Sequence, residues 1–126
     1  DAQESRGLGD VYKRQILHNY LSNSGRDLIY EYINSLPEAE KIDGYTVLQH
    51  MEKGEFDKIL FKRWEKKVYE VYFQKNNRVF YITVDKENIY LLHSCRKQKN
   101  KTEKKDANIV RKRAKELGNM LGRKFI

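Results

Sequence analysis

The spacing of apolar positions changes along the chain, and each change predicts an element. From Asp27 to Leu36, the residues Leu28, Ile29, Tyr32, Ile33 and Leu36 recur at helical spacing on one face. Pro37 ends that run, because the residue before a proline avoids the helical region. Ser35-Leu36-Pro37-Glu38 has the form of a capping box with proline early in the helix, so a second helix is predicted. It runs to about Lys53 on a stripe of Ile42, Tyr45, Val47, Leu48 and Met51, with Gly54 placed to end it in a left-handed cap. Beyond a connector rich in lysine and aromatic residues, Lys58 to Lys67, the pattern alternates. Val68 to Phe73, Arg78 to Asp85 and Ile89 to Ser94 read as strands, and the polar breaks Gln74 to Asn77 and Lys86 to Asn88 predict antiparallel hairpins. On the middle strand Arg78, Phe80, Ile82 and Val84 share one face, and Val79, Tyr81 and Thr83 the other. Ile16 to Leu21 reads as a first short strand, followed by the turn formers Ser22-Asn23-Ser24-Gly25. After the basic loop Arg96 to Lys101, Thr102 is the expected N-cap of a last helix carrying Ile109, Val110, Ala114, Leu117 and Leu121. The tail after Gly118, with Met120, Leu121 and Phe125, either packs back on the sheet or lies loose. The order β-α-α-β-β-β-α predicts an α+β fold: a small twisted antiparallel sheet of about four strands with helices packed on one side.

Composition narrows the class. At 126 residues and 39% hydrophobic, the chain suits one domain with one modest core, which excludes two-domain enzymes. No run approaches the roughly 18 apolar residues of a membrane span, and the start lacks a signal-peptide pattern, so a cytoplasmic protein is expected. A single cysteine, Cys95, makes neither an internal disulfide nor a cysteine zinc site, and no metal or cofactor is expected. The net charge of +8 is regional: His93 to Ile126 holds twelve Lys and Arg against three Asp and Glu, whereas Ile16 to Leu92 holds eleven against twelve. Such an end is either a patch for a polyanion or the solvated face of a helix. Ser5 to Gln15, SRGLGDVYKRQ, resembles translated sequencing-adaptor DNA; the competing reading is a natural arm with a Gly-x-Gly turn. Residues 1–15 are therefore read as a non-native arm and 16–126 as one domain.

The segment from Val68 to Glu116 resembles the C-terminal half of RelE/HigB toxins, the toxins of type II toxin-antitoxin pairs, in particular their phage-derived branch. The resemblance rests on Tyr69-Glu70-Val71-Tyr72, Arg78-Val79-Phe80-Tyr81, Leu91-Leu92-His93-Ser94-Cys95-Arg96-Lys97 and Lys101-Thr102, in that order. Ser24-Gly25-Arg26, Glu31-Tyr32-Ile33 and Ser35-Leu36-Pro37 resemble the family's early helix. Two positions depart from the pattern: Tyr72 stands where the family has a strand arginine, and Ser94-Cys95 where it has Gly-Phe. The resemblance implies a RelE-like fold and a toxin that enters the ribosomal A site and cuts mRNA, restrained by a small antitoxin, expected to carry a helix-turn-helix.

Cleaving RNA without a metal requires a base for the 2′-hydroxyl proton, cations for the charge gathering on phosphorus and an acid for the departing 5′ oxygen. The expected catalytic set is Arg78 and Arg96 holding the scissile phosphate, with Lys97 and Lys101 supplying proton transfer and charge stabilisation. His93 either shares proton transfer or is a structural group at a strand end. Tyr72 and Tyr81 are candidates for stacking on bases, and Lys99, Lys104, Lys105, Arg111 and Lys112 for phosphate contacts. On the other side, strand tyrosines serve packing, and Arg111, Lys112, Arg113 and Lys115 suit the solvent side of a helix. Glu70 is expected to pair with Arg78 and position it, His18 and His50 are bystanders, and Cys95 lacks a partner for nucleophilic work. Two alternatives keep the fold: a ParE-like toxin that binds DNA gyrase, and an RNA- or ribosome-binding protein that does not cut.

Overall fold

The computed structural model describes residues 14–97 and 102–126. Its elements are β1 (Ile16–Asn19), α1 (Leu28–Asn34), α2 (Glu38–Glu52), a 3₁₀ turn (Phe56–Lys58), β2 (Leu60–Glu65), β3 (Val68–Phe73), β4 (Asn77–Thr83), β5 (Asn88–Arg96) and α3 (Lys104–Leu121). The five strands form one open sheet in the order β1-β5-β4-β3-β2. The pairs from β2 to β5 are antiparallel, and β1 runs parallel to β5, with Ile16 opposite Asn88 and Asn19 opposite Leu91.

The α+β class and the small sheet agree with the pattern of the chain, and three details differ. The fifth strand is β2, inside the stretch read as connector; four of its six residues are exposed and none is buried, so no alternation marks it. The sheet is mixed, because a β1-to-β5 separation filled by two helices permits a parallel pairing. Helices also cover both faces. On one face Ile29, Ile33, Val47 and Met51 of α1 and α2 pack on Val71, Val79, Tyr81, Ile89 and Leu91; on the other Val110, Ala114 and Leu117 of α3 pack on Val68, Phe80, Ile82 and Leu92. Both faces of β4 are apolar, so each needs a cover.

Local signals account for most boundaries. Asp27 caps α1, its Oδ1 accepting from the Tyr30 amide at 2.8 Å while its Oδ2 accepts from Asn19 at 3.0 Å. The expected capping box at α2 does not form: Pro37 is the N-cap and makes no side-chain cap bond, and Ser35 Oγ donates to the carbonyl of Tyr32 instead. At α3 the N-cap is Glu103, one residue after the expected Thr102. The β3–β4 turn holds Lys75 and Asn76 at φ 66° and 63°, a left-handed pair that reverses the chain tightly. The tail packs back: Phe125 is buried in the α3-side core and its carbonyl accepts from Lys67 N at 3.2 Å. No helix among the described residues is long and apolar enough to cross a membrane.

Candidate functional site

On the α3 side of the sheet the apolar core gives way, along β3, β4 and β5, to a buried charged cluster. Glu70 is at its centre, with its side chain 1% exposed. Its Oε1 lies 3.2 Å from Arg78 Nε and 3.6 Å from Lys97 Nζ, so one carboxylate faces two cations, Arg78 from the adjacent strand β4 and Lys97 from just past the end of β5. Register explains the meeting: Glu70 pairs with Phe80, Tyr72 with Arg78, and Arg78 in turn with Cys95. Strand alternation then sends Glu70, Tyr72, Arg78, Cys95 and Lys97 to the same face. Removing charges this far from water is costly, so the cluster holds together only as a set.

Arg78 is also the cluster's outlet. Its guanidinium carbon lies 4.1 Å from the centroid of the Tyr72 ring, with Lys62 Nζ 5.7 Å from that ring. Lys62 is exposed, and its pKa is raised, first by the Tyr72 hydroxyl and then by the charge of Glu70, so it stays an ammonium. Tyr72 and Arg78 line an open cavity of about 500 Å³ that also takes in Lys58 and Lys75 and, from α2, Val47 and Asp43, whose carboxylate accepts from the Gln74 amide at 3.0 Å. This places a planar cation, an aromatic face and further ammonium groups around one concavity, a combination suited to a phosphate and its neighbouring base.

Beside the cluster, His93 Nε2 bonds Asp106 Oδ1 at 2.8 Å, linking β5 to the first turn of α3, and its Nδ1 lies 3.4 Å from Arg113. Burial lowers the His93 pKa despite the carboxylate, so the ring is neutral near pH 7; Nε2–H donates to Asp106 and Nδ1 faces the guanidinium. Donor atoms of His93, Cys95 and Asp106 lie within 4.8 Å of one another. In this arrangement the imidazole and carboxylate are bonded to each other, and burial pushes the Cys95 thiol up to about 12, so the sulfur carries its proton. These three are the side chains among the described residues that would hold a metal, and their geometry is that of a strand-to-helix tie.

The structure divides the expected site residues. Arg78 and Lys97 come together, as does Glu70, whose pairing with Arg78 matches the expectation and is buried. Arg96 does not join them. It projects to the opposite face, where Nη2 donates to Glu40 Oε1 at 2.6 Å and Nη1 to the Lys75 carbonyl at 2.8 Å. There it completes a buried network in which Asn77 donates to Glu40 and accepts from Tyr32. The hydrogen bond from Asn77, followed by that from Arg96, holds the Glu40 carboxyl below its ordinary range. The reason is strand length: β5 continues through Arg96, so alternation separates Arg96 from both Cys95 and Lys97. Tyr81 is likewise on the other face from Tyr72 and is buried, 1% exposed. His93 is hydrogen-bonded to Asp106 of α3. Arg111 makes a two-point pair with Glu65, both bonds 2.9 Å, and lies over Trp64. Lys104, Lys105 and Lys112 are exposed along α3. Lys99, Lys101 and the arm before Arg14 lie outside the described residues.

Lys62 and Asp106 were not legible as site residues. Lys62 sits on the unmarked strand β2, and Asp106 carries only the general sign of an acid in a first helical turn. Among known proteins, a family described as Phage derived protein Gp49-like (DUF891) matches residues 31–115, a span that includes every charged member of the cluster. No curated protein gives a significant match.

Proposed function

Taking as premise that the chain belongs to the phage-derived Gp49-like family, a RelE/toxin-like family of toxin-antitoxin systems, we propose that it is the toxin of such a pair and cuts mRNA on the ribosome. The observation that carries the reading is Arg78, stacked on Tyr72 and fixed from behind by the buried Glu70, at the wall of an open cavity.

In this reading Arg78 grips the scissile phosphate and Tyr72 stacks on an adjoining base, so the tyrosine takes a positioning role where the family has an arginine. The 2′-oxygen attacks phosphorus, the P–O5′ bond breaks, and a 2′,3′-cyclic phosphate and a 5′-hydroxyl end result. Lys62 and Arg78 stabilise the charge on the non-bridging oxygens. Proton transfer is assigned from the sequence alone to Lys99 and Lys101, since like charges close together in the run Arg96 to Lys101 favour a neutral amine. Lys97 acts through Glu70, balancing the buried carboxylate, and Arg96 braces the β3–β4 turn. The exposed Lys104, Lys105 and Lys112 meet ribosomal RNA phosphates, and an antitoxin covers the cavity in the resting pair.

A second reading, a ribosome binder that does not cut, is favoured by one observation: both nitrogens of His93 are engaged, leaving no imidazole for proton transfer. The two readings separate in a translating extract. Cleavage predicts new mRNA 5′ ends inside codons, present only when ribosomes translate; intact message under stalled ribosomes would refute it. Gyrase-dependent DNA breaks would point instead to a ParE-like action.

A further inference from the structure

The opposite face of the sheet carries a second cationic and aromatic surface, away from the Arg78 cluster. It lies toward the β2–β3 turn, where α2 no longer covers the strands, in a groove of about 510 Å³. Its aromatic rings form a connected set. Phe56 meets Phe61 edge-on at 5.6 Å between centroids, Phe61 lies 6.3 Å from Tyr69, and Tyr69 lies 5.9 Å from Tyr81. Tyr81 is the buried floor, whereas Phe61 is 42% exposed and belongs to neither core cluster. Part of the Phe61 ring is covered by Phe56 and Tyr69, and its exposed part lies open along the groove.

Three cations line the same groove: Arg63, Lys66 and Lys67. All are exposed, none forms an ion pair with another described residue, and no carboxylate is among the described lining residues. The neighbouring Glu65 points to the α3 side, held by Arg111. Alternation makes this division: Arg63 pairs with Tyr69 and Phe61 with Val71, so both turn toward the same face. Cations with no carboxylate among the described lining residues, beside edge-on and tilted rings, match a ligand that is both polyanionic and rich in flat aromatic groups.

We infer that this groove binds single-stranded RNA, with a base stacked on Phe61 and Tyr69 and the backbone following Arg63, Lys66 and Lys67. Single strands present the π-faces that a duplex hides, and base-aromatic stacking tolerates sequence, so the groove selects strandedness rather than bases. It rests on the proposed function only in taking RNA as the polyanion. The surface is separate from the Arg78 cavity and lets one molecule hold a strand at two places.

The test is titration of the full chain with a fluorescent short oligouridylate, and with a duplex of the same length. Phe61→Ala with Arg63→Ala is expected to weaken single-strand binding about tenfold or more and leave duplex binding little changed. Removing Arg63, Lys66 and Lys67 together is expected to lower the slope of log affinity against log salt by about 2, at roughly 0.7 per lost contact. Phe61→Trp retains binding, which controls for folding, since this side chain is outside both cores. Unchanged oligouridylate affinity in Phe61→Ala with Arg63→Ala would overturn the proposal, as would equal losses for strand and duplex. Arg78→Ala separates the two readings: cleavage lost with groove binding intact leaves this inference standing, and groove binding without any mRNA cleavage in the wild type removes only the nuclease reading.

Discussion

The two faces of the sheet are built from the same alternating strands and are held by different forces. The face under α1 and α2 is apolar along β3, β4 and β5, and its polar network of Glu40, Asn77, Arg96 and Tyr32 is closed within itself. The face under α3 is apolar only under Val110, Ala114 and Leu117, then passes to Glu70, Arg78, Lys97 and the His93–Asp106 tie. Packing secures most of the first, with a single ion pair, Arg96–Glu40, in its polar network; the second depends on a buried carboxylate balanced by two cations. A site that needs a fixed, desolvated cation is therefore expected beside the charged cluster, and there Arg78 reaches a cavity at the β3–β4 turn end of the sheet, walled on its other side by α2.

The largest test of this contrast is Glu70→Ala. It leaves two buried cations facing each other and should cost about 3–5 kcal/mol of unfolding free energy in denaturant titration. On the apolar face Ile33→Val should cost only about 1 kcal/mol, because it removes a single methylene. Equal costs would erase the distinction between the faces.

A smaller effect is expected at Gly118, on the buried side of α3. A Cβ there collides with the carbonyl oxygen of Arg123 in the returning tail. Gly118→Ala should lower stability by about 1–3 kcal/mol and free the tail for proteolysis after Leu121. Asp27→Ala, which uncaps α1 and drops the bond to Asn19, should cost about 1 kcal/mol.

The pH dependence sharpens the comparison without a large energy. The His93 pKa is lowered from 6.5 by burial, so the unfolded chain binds this proton more readily than the folded one. Its contribution to stability is complete above about pH 6.5 and is lost as pH falls below that value toward the folded pKa. Between about pH 6.5 and pH 5 the wild type should lose stability and His93→Gln should lose less, measured by thermal melts. The lowered carboxylates, Glu40 and Glu65 among them, act in a more acid range, since their reference value is 4.5.

The difference between the faces also explains what the sequence could convey. Helical spacing located α1, α2 and α3, and alternation placed β3 at its observed bounds, because those elements bury a periodic apolar face. β2 escaped notice because an exposed edge strand needs no apolar alternation. The two candidate arginines show the same limit. With β5 ended at Ser94, Arg78 and Arg96 were both free to converge on one phosphate; with β5 extended to Arg96, the pleat places them on opposite faces. Glu70 was visible as a carboxylate inside Val-Tyr-Glu-Val-Tyr, yet its pairing in the core involves Lys97, the residue just after β5. Pairings between distant strands and the end of a strand are tertiary facts, and composition does not encode them.

In the proposed mechanism Arg78, fixed by Glu70 and Tyr72, grips the phosphate that is cut. Cleavage rates in a translating extract, with mRNA ends mapped by primer extension, test it most directly when wild type is set beside Arg78→Ala. Loss of one preorganised charge donor predicts codon-internal cuts reduced about 100-fold or more, with the protein still folded. Cuts that persist undiminished in Arg78→Ala would contradict it.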